Sequence, residues 1–128
     1  MLRESLAFSG FTAKDLAAQQ DFYSTVLGLN VEDTGMGLQV HLGGDRMVFI
    51  YQKDDHQPAA HTILNFPVDD IDAAIDELSG KGVVFERYPN LPRQQDEKGV
   101  LRGKQLGYGP DIAWFKDPAG NILSILNG

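Results

Sequence analysis

The sequence predicts an α+β fold made of two βαβββ modules. Three observations lead there. Strand-like and helix-like periodicities follow one another in the same order twice along the chain. The two helical segments open alike, with Asp15-Leu16-Ala17-Ala18 in the first half and Asp70-Ile71-Asp72-Ala73 in the second. Behind them, Gly28 to Glu32 aligns with Gly82 to Glu86 in nearly the same register. With 128 residues the chain has the size of one domain. Module 1 is placed at about 1–56 and module 2 at about 61–128.

Each element has its own signal. Leu6 to Thr12 alternates loosely and carries Phe8 and Phe11, as a strand does. Asp15 to Leu27 reads as a helix, with Leu16, Phe22, Tyr23, Val26 and Leu27 toward one face and Gly28 as its stop. Strands follow at Leu29–Glu32, Gly37–Leu42 and Arg46–Gln52, the last two joined by the hairpin signal Gly43-Gly44-Asp45. Lys53 to Ala60 is a polar connector. Thr62 to Val68 is an apolar strand, and Asp70 to Leu78 a helix with Ile71, Ala74, Ile75 and Leu78 on one stripe. Val83 to Arg87 reads as a strand, and Pro89 to Pro110 as a long irregular stretch. Ile112–Lys116 and Ile122–Leu126 form a last hairpin around Asp117-Pro118-Ala119-Gly120-Asn121, where Pro118 presets φ and Gly120 takes the positive φ.

Composition limits the chemistry. Apolar residues at 42% and charged residues at 23% suit a globular protein. The absence of cysteine excludes disulfides, thiolate metal sites and cysteine nucleophiles. Eleven basic against 18 acidic residues give a net charge of -7, which repels phosphate backbones and anionic lipid. No nucleic-acid or membrane partner is therefore expected. Met1-Leu2-Arg3-Glu4 lacks the apolar stretch of a secretion signal, so a cytoplasmic location is the expectation. Neither a Gly-x-Ser-x-Gly nucleophile turn nor a phosphate-binding glycine loop is present. Gly35-Met36-Gly37 is a turn, since no helix opens after it. The acidic helix start at Asp69, Asp70, Asp72 and Asp76 reads as a solvated face favoured by the helix dipole.

Three segments together resemble the vicinal oxygen chelate superfamily, which includes glyoxalase I, bleomycin resistance proteins and extradiol dioxygenases. They are Asp15-Leu16 with Phe22-Tyr23-Ser24-Thr25-Val26-Leu27-Gly28-Leu29, then Val68-Asp69-Asp70-Ile71-Asp72-Ala73-Ala74, then Trp114-Phe115-Lys116-Asp117-Pro118-Ala119-Gly120-Asn121-Ile122-Leu123. The resemblance implies curled mixed sheets around a cavity, helices outside, and a homodimer. It also implies a divalent ion in the enzymes of the group, held by His, Gln or Glu from the first and last strand of each module.

The matching positions carry other chemistry. Phe8, Ile63 and Ser124 stand at equal spacing from Asp15, Asp70 and Asp117, and aligning Gly44 with Gly120 puts Val48 at the fourth position. Three of these cannot ligate a cation, and serine is a poor neutral donor. No metal and no cofactor are therefore expected. His61 shares a strand face with Ile63 and is the histidine that a slipped register would bring inward. His41 is placed on a strand without a ligand role, and His56 in a solvated loop. Of the polar groups, Asn65 shares the face of Ile63. The locally basic stretch from Arg87 to Lys104 reads either as a lid or pocket wall offering Arg93 or Arg102 for an anionic ligand, or as a mobile surface excursion of mixed charge. Trp114, the single tryptophan, points away from Phe115 and toward the cavity, where Phe8 and Tyr108 are also placed, with Tyr51 beside them or, if Val48 faces the cavity, on the helix side.

The expected function is metal-free binding of a small apolar or aromatic molecule in a homodimer, as in the bleomycin resistance branch. The expected ligand-binding residues are Phe8, Val48, Ile63, Asn65, Arg102, Tyr108, Trp114 and Ser124, with none catalytic. The alternative is a glyoxalase- or dioxygenase-like metalloenzyme using His61 or unusual ligands.

Overall fold

The computed structural model describes residues 1–107 and 109–128. Two compact units divide it, Met1–Gln57 and Pro58–Gly128. Each unit holds one four-stranded mixed sheet. Among the described residues, no helix is long and apolar enough to cross a membrane.

In the first unit, a short turn at Leu2–Glu4 precedes strand β1 (Ser9–Ala13), helix α1 (Leu16–Asp21), and strands β2 (Asn30–Asp33), β3 (Leu38–Leu42) and β4 (Arg46–Gln52). The sheet order is β1-β4-β3-β2, with β1 parallel to β4 and the other pairs antiparallel. Asp15 caps α1 by accepting from the Ala18 N–H at 3.1 Å. The expected helix to Leu27 changes winding partway, and Phe22–Val26 is a π-helical turn. The Ser24 hydroxyl donates to the Gln20 carbonyl at 2.6 Å, and Leu27 donates to Phe22 five residues back at 3.0 Å. A hydroxyl competing for a carbonyl of the helical ladder favours such a slip. The turn seats Tyr23, which is fully buried against Phe11 and Phe22.

The core of this unit is fixed by strand alternation. Leu38, Val40, Val48 and Ile50 are buried, and register pairs them on one face with Phe11, the ring that meets Tyr23. Burying such side chains stabilises the fold by about 1.5–3 kcal/mol each. The opposite face carries Thr12, Gln39, His41, Met47, Phe49 and Tyr51. The Gly44-Asp45 corner of the β3–β4 hairpin takes positive φ at both residues, 70° and 58°, as a tight hairpin requires.

The second unit repeats the plan with β5 (Thr62–Pro67), α2 (Ile71–Gly80), β6 (Leu101–Arg102), α3 (Gly103–Leu106), β7 (Asp111–Lys116) and β8 (Ile122–Asn127). The sheet order is β5-β8-β7-β6. Asp70 caps α2 through the Ala73 N–H at 3.1 Å, the counterpart of Asp15. Ile71 and Ile75 of α2, with Ala113, Phe115, Leu123 and Ile125 of the sheet, are buried. The β7–β8 turn closes on Asp117, whose carboxylate accepts from the N–H groups of Ala119 and Asn121 and from the Asn121 carboxamide, each near 3.0 Å.

The strand expected at Val83–Arg87 does not form. Glu86 makes one bond to the β7 edge, donating to the Trp114 carbonyl at 2.8 Å. The groups that would continue a ladder are taken by the side chain of Gln95. Its oxygen accepts from the Tyr88 N–H at 2.7 Å, and its nitrogen donates to the carbonyls of Glu86 and Gly99. A buried carboxamide thus satisfies a segment that the hydrophobic pattern assigns to a sheet. Within the stretch read as irregular, β6 and α3 are short regular pieces.

Candidate functional site

The candidate site is the face of the second sheet opposite α2, built by the register of its strands. Trp114 pairs with Ser124, and Ser124 pairs with Asn65, so the three side chains share one row across β7, β8 and β5. The Ser124 hydroxyl donates to the Asn65 carboxamide oxygen at 2.5 Å. With that oxygen committed, the Asn65 amide nitrogen keeps its donors. The Trp114 indole N–H donates to the Thr62 hydroxyl at 3.0 Å. The Tyr88 ring meets Trp114 edge-on, with centroids 5.5 Å apart at 81°. Three of the residues expected from the sequence, Asn65, Trp114 and Ser124, therefore stand together.

Thr62 and Tyr88 adjoin the row through Trp114 and were not found in the sequence. A register shift between Thr62 and Leu64 makes Ile63 the extra residue of a bulge. The bulge brings Thr62 onto the face of Asn65, three residues on, and removes Ile63 from the regular alternation that placed it beside Asn65. Tyr88 carries a further feature. Its hydroxyl oxygen is buried and has no hydrogen-bond partner among the described residues. Burial pushes this phenol above its usual range, and the Glu86 carboxylate adds to the effect, so the group is a neutral donor at neutral pH.

The other expected residues lie elsewhere. Val48 is 5% exposed and faces the helix-side core with Ile50, not the opposite face. Strand period explains the difference, since a slip of one residue exchanges the two faces. Tyr51 consequently lies on the face away from α1, stacked near Phe49 with centroids 6.3 Å apart. Phe8 precedes β1 and is 62% exposed. Together with Leu6, Met47 and Val48 it lines a recess of about 670 Å³ in the first unit. Tyr108 falls outside the described residues.

Arg102 is committed to carboxylates rather than open to an anionic ligand. It donates to both oxygens of Asp72, at 2.8 and 3.2 Å, and to Asp96 at 2.9 Å, with Asp111 at 3.7 Å. These pairs tie α2 to the segment before β6. The bonds from Arg102 hold Asp72 below the usual carboxylate range. Burial works to raise Asp96, and the N–H groups of Val100 and Lys98 with Arg102 outweigh it, for a net lowering.

His56 is not a solvated loop residue. The connector folds back so that its Nδ1 lies 2.5 Å from the Thr12 hydroxyl, and the ring is half-buried. His41 sits on β3 opposite Met47, and His61 is exposed just before β5.

The family model of the Glyoxalase/Bleomycin resistance protein/Dioxygenase superfamily matches residues 6–125. The chain belongs to that superfamily. Solved structures of the same fold include an integron cassette protein from the mobile metagenome of the Halifax Harbour sewage outfall. It is 18% identical with a TM-score of 0.71, and the match covers 98% of this chain and 99% of that one. The fosfomycin resistance protein FosX from Listeria monocytogenes is 16% identical with a TM-score of 0.69, covering 98% and 93%. TnmS3, an antibiotic binding protein from a Streptomyces strain, is 22% identical with a TM-score of 0.63, covering 94% of each chain. No curated protein matches the sequence.

The divalent ion implied for enzymes of the superfamily does not fit the donors at hand. Phe8, Met47, Val48, Ile63, Asn65 and Ser124 stand at or beside the four positions and supply no imidazole or carboxylate. Among the described residues, no group of three or more His, Asp or Glu side chains lies close enough to hold a cation.

Proposed function

We propose that this superfamily member binds a small, largely apolar or aromatic molecule on the face of its second sheet, without a metal ion, and works as a homodimer. One observation carries the reading. The sheet face at Thr62, Asn65, Trp114 and Ser124 presents an indole and uncharged hydrogen-bonding groups, and Ser124 stands where enzymes of the superfamily, by resemblance, place a metal ligand. Such a surface favours an uncharged planar group by apolar burial, at roughly 25 cal/mol per Å², with a few polar groups fixing orientation. The similarity to an antibiotic binding protein supports sequestration of a toxic compound as one version. Exposed Met1, Leu2, Leu6 and Phe8 support association with a second copy.

The test is native mass spectrometry of protein purified without chelator, paired with elemental analysis. The expected result is a dimer carrying no stoichiometric transition metal and gaining mass on incubation with aromatic compounds. A bound transition metal at one per chain overturns the proposal in favour of a metalloenzyme.

A further inference from the structure

Beside the sheet face, residues 87–95 enclose a second recess of about 350 Å³. The chain as a whole is strongly acidic, yet among the described residues this recess is lined by Arg87, Tyr88, Leu91, Arg93, Gln94 and Gln95 with two prolines, and by no carboxylate. Its two arginines differ in their commitments. Arg87 donates to the carbonyls of Asp96 and Glu97 and braces the loop from outside. Arg93 is exposed, and among the described residues it donates to the carbonyl of its neighbour Pro92, at 3.0 Å, and to no other group. Its remaining donors are open to an anion.

The loop is organised in advance. The Gln95 carboxamide makes three bonds to the backbone of Glu86, Tyr88 and Gly99, which lowers the ordering cost of binding. Tyr88 links the recess to the sheet face, since it lines the one and its ring packs on Trp114 of the other. The Tyr88 hydroxyl oxygen is buried and has no hydrogen-bond partner among the described residues, and an acceptor atom of a ligand that displaced the atoms covering it would satisfy it.

We infer that the recess is a subsite for a carboxylate, so that the preferred ligand is a small aromatic acid. Its ring lies by Trp114 and Tyr88, and its carboxylate takes hydrogen bonds from Tyr88 and Arg93. This rests on the small-molecule reading above and adds the charge of the ligand. Neutral aromatic compounds bind the same face without the carboxylate contacts.

Trp114 is the only tryptophan, so its emission reports binding directly. The full-length protein is titrated with benzoate and, separately, with benzyl alcohol. Benzoate is expected to bind about tenfold more tightly, with an advantage that shrinks as salt is added. Arg93→Gln and Tyr88→Phe are each expected to reduce benzoate to the level of benzyl alcohol. Tyr88→Phe keeps the ring packing and removes an unsatisfied hydroxyl, so its thermal midpoint should hold or rise. A fall in that midpoint with benzoate affinity unchanged would mark the hydroxyl as structural and overturn the inference. Equal affinity for the two compounds in the unmodified protein overturns it too, while leaving the small-molecule reading intact. Failure of both compounds to bind sinks the two together.

Discussion

Ser124 and Asn65 meet across the β5–β8 pair through a 2.5 Å hydrogen bond, joining a fully buried hydroxyl to an exposed carboxamide. The bond fixes which end of Asn65 faces outward. Ser124→Ala should therefore cost about 1 kcal/mol, because the Asn65 oxygen can turn to water once its donor is gone. Urea unfolding should show a lower midpoint with an unchanged slope. A loss of aromatic-ligand affinity in the same variant would show that the orientation of Asn65 matters for binding.

The Arg102 cluster gives a signed prediction about pH. Asp72 and Asp96 both titrate lower in the folded chain than the ordinary aspartate value of 3.8. The unfolded chain therefore binds more protons through that window. The stability they contribute is complete above about pH 4 and is lost as pH falls through their lowered values. Arg102→Met removes the guanidinium from Asp72, which keeps Lys98, and from Asp96, which keeps the Val100 and Lys98 N–H groups, and should cost about 2 kcal/mol at neutral pH. Its thermal midpoint should also depend less on pH in the acid range than that of the unmodified protein. Parallel acid profiles for the two proteins would count against the cluster.

Asp117 organises the last turn by accepting three bonds from Ala119 and Asn121 while only 4% exposed. Asp117→Ala strips those donors of their acceptor inside the fold. A destabilisation of about 2 kcal/mol is expected, and Asp117→Asn should recover part of it. Circular dichroism melts of the pair check both statements.

The exposed N-terminal apolar residues test the proposed dimer. Phe8→Asp places a charge at the most strand-proximal of them, a side chain 62% exposed at the rim of the first unit's recess. Sedimentation should then show a shift from dimer toward monomer with the thermal midpoint of the isolated fold little changed. An unaltered dimer would place the interface elsewhere.

Much of the architecture was legible because it rests on local signals. Asp15 and Asp70 mark where their helices begin, and the structure makes both of them side-chain caps; Asp117 to Asn121 announces its turn. The row of Asn65, Trp114 and Ser124 follows from alternation alone. The misplaced residues depended on events that alternation cannot express. Ile63 left the row because of a bulge, Val48 because the strand phase was one residue out, and Val83–Arg87 because a distant glutamine replaced a ladder. Arg102 looked available by its charge, and its three aspartate partners come from separate parts of the chain. Tyr88 had no sequence signal beyond its aromaticity; that its buried oxygen has no partner among the described residues is visible only in three dimensions.

The irregularity at Ile63 has a practical corollary for protein engineering. Anyone wishing to convert this scaffold into a metalloprotein by grafting imidazoles would naturally choose alternate positions, 63 and 65. The looped-out residue defeats that choice, whereas histidines at 62, 65 and 124 would converge on the same side of the sheet.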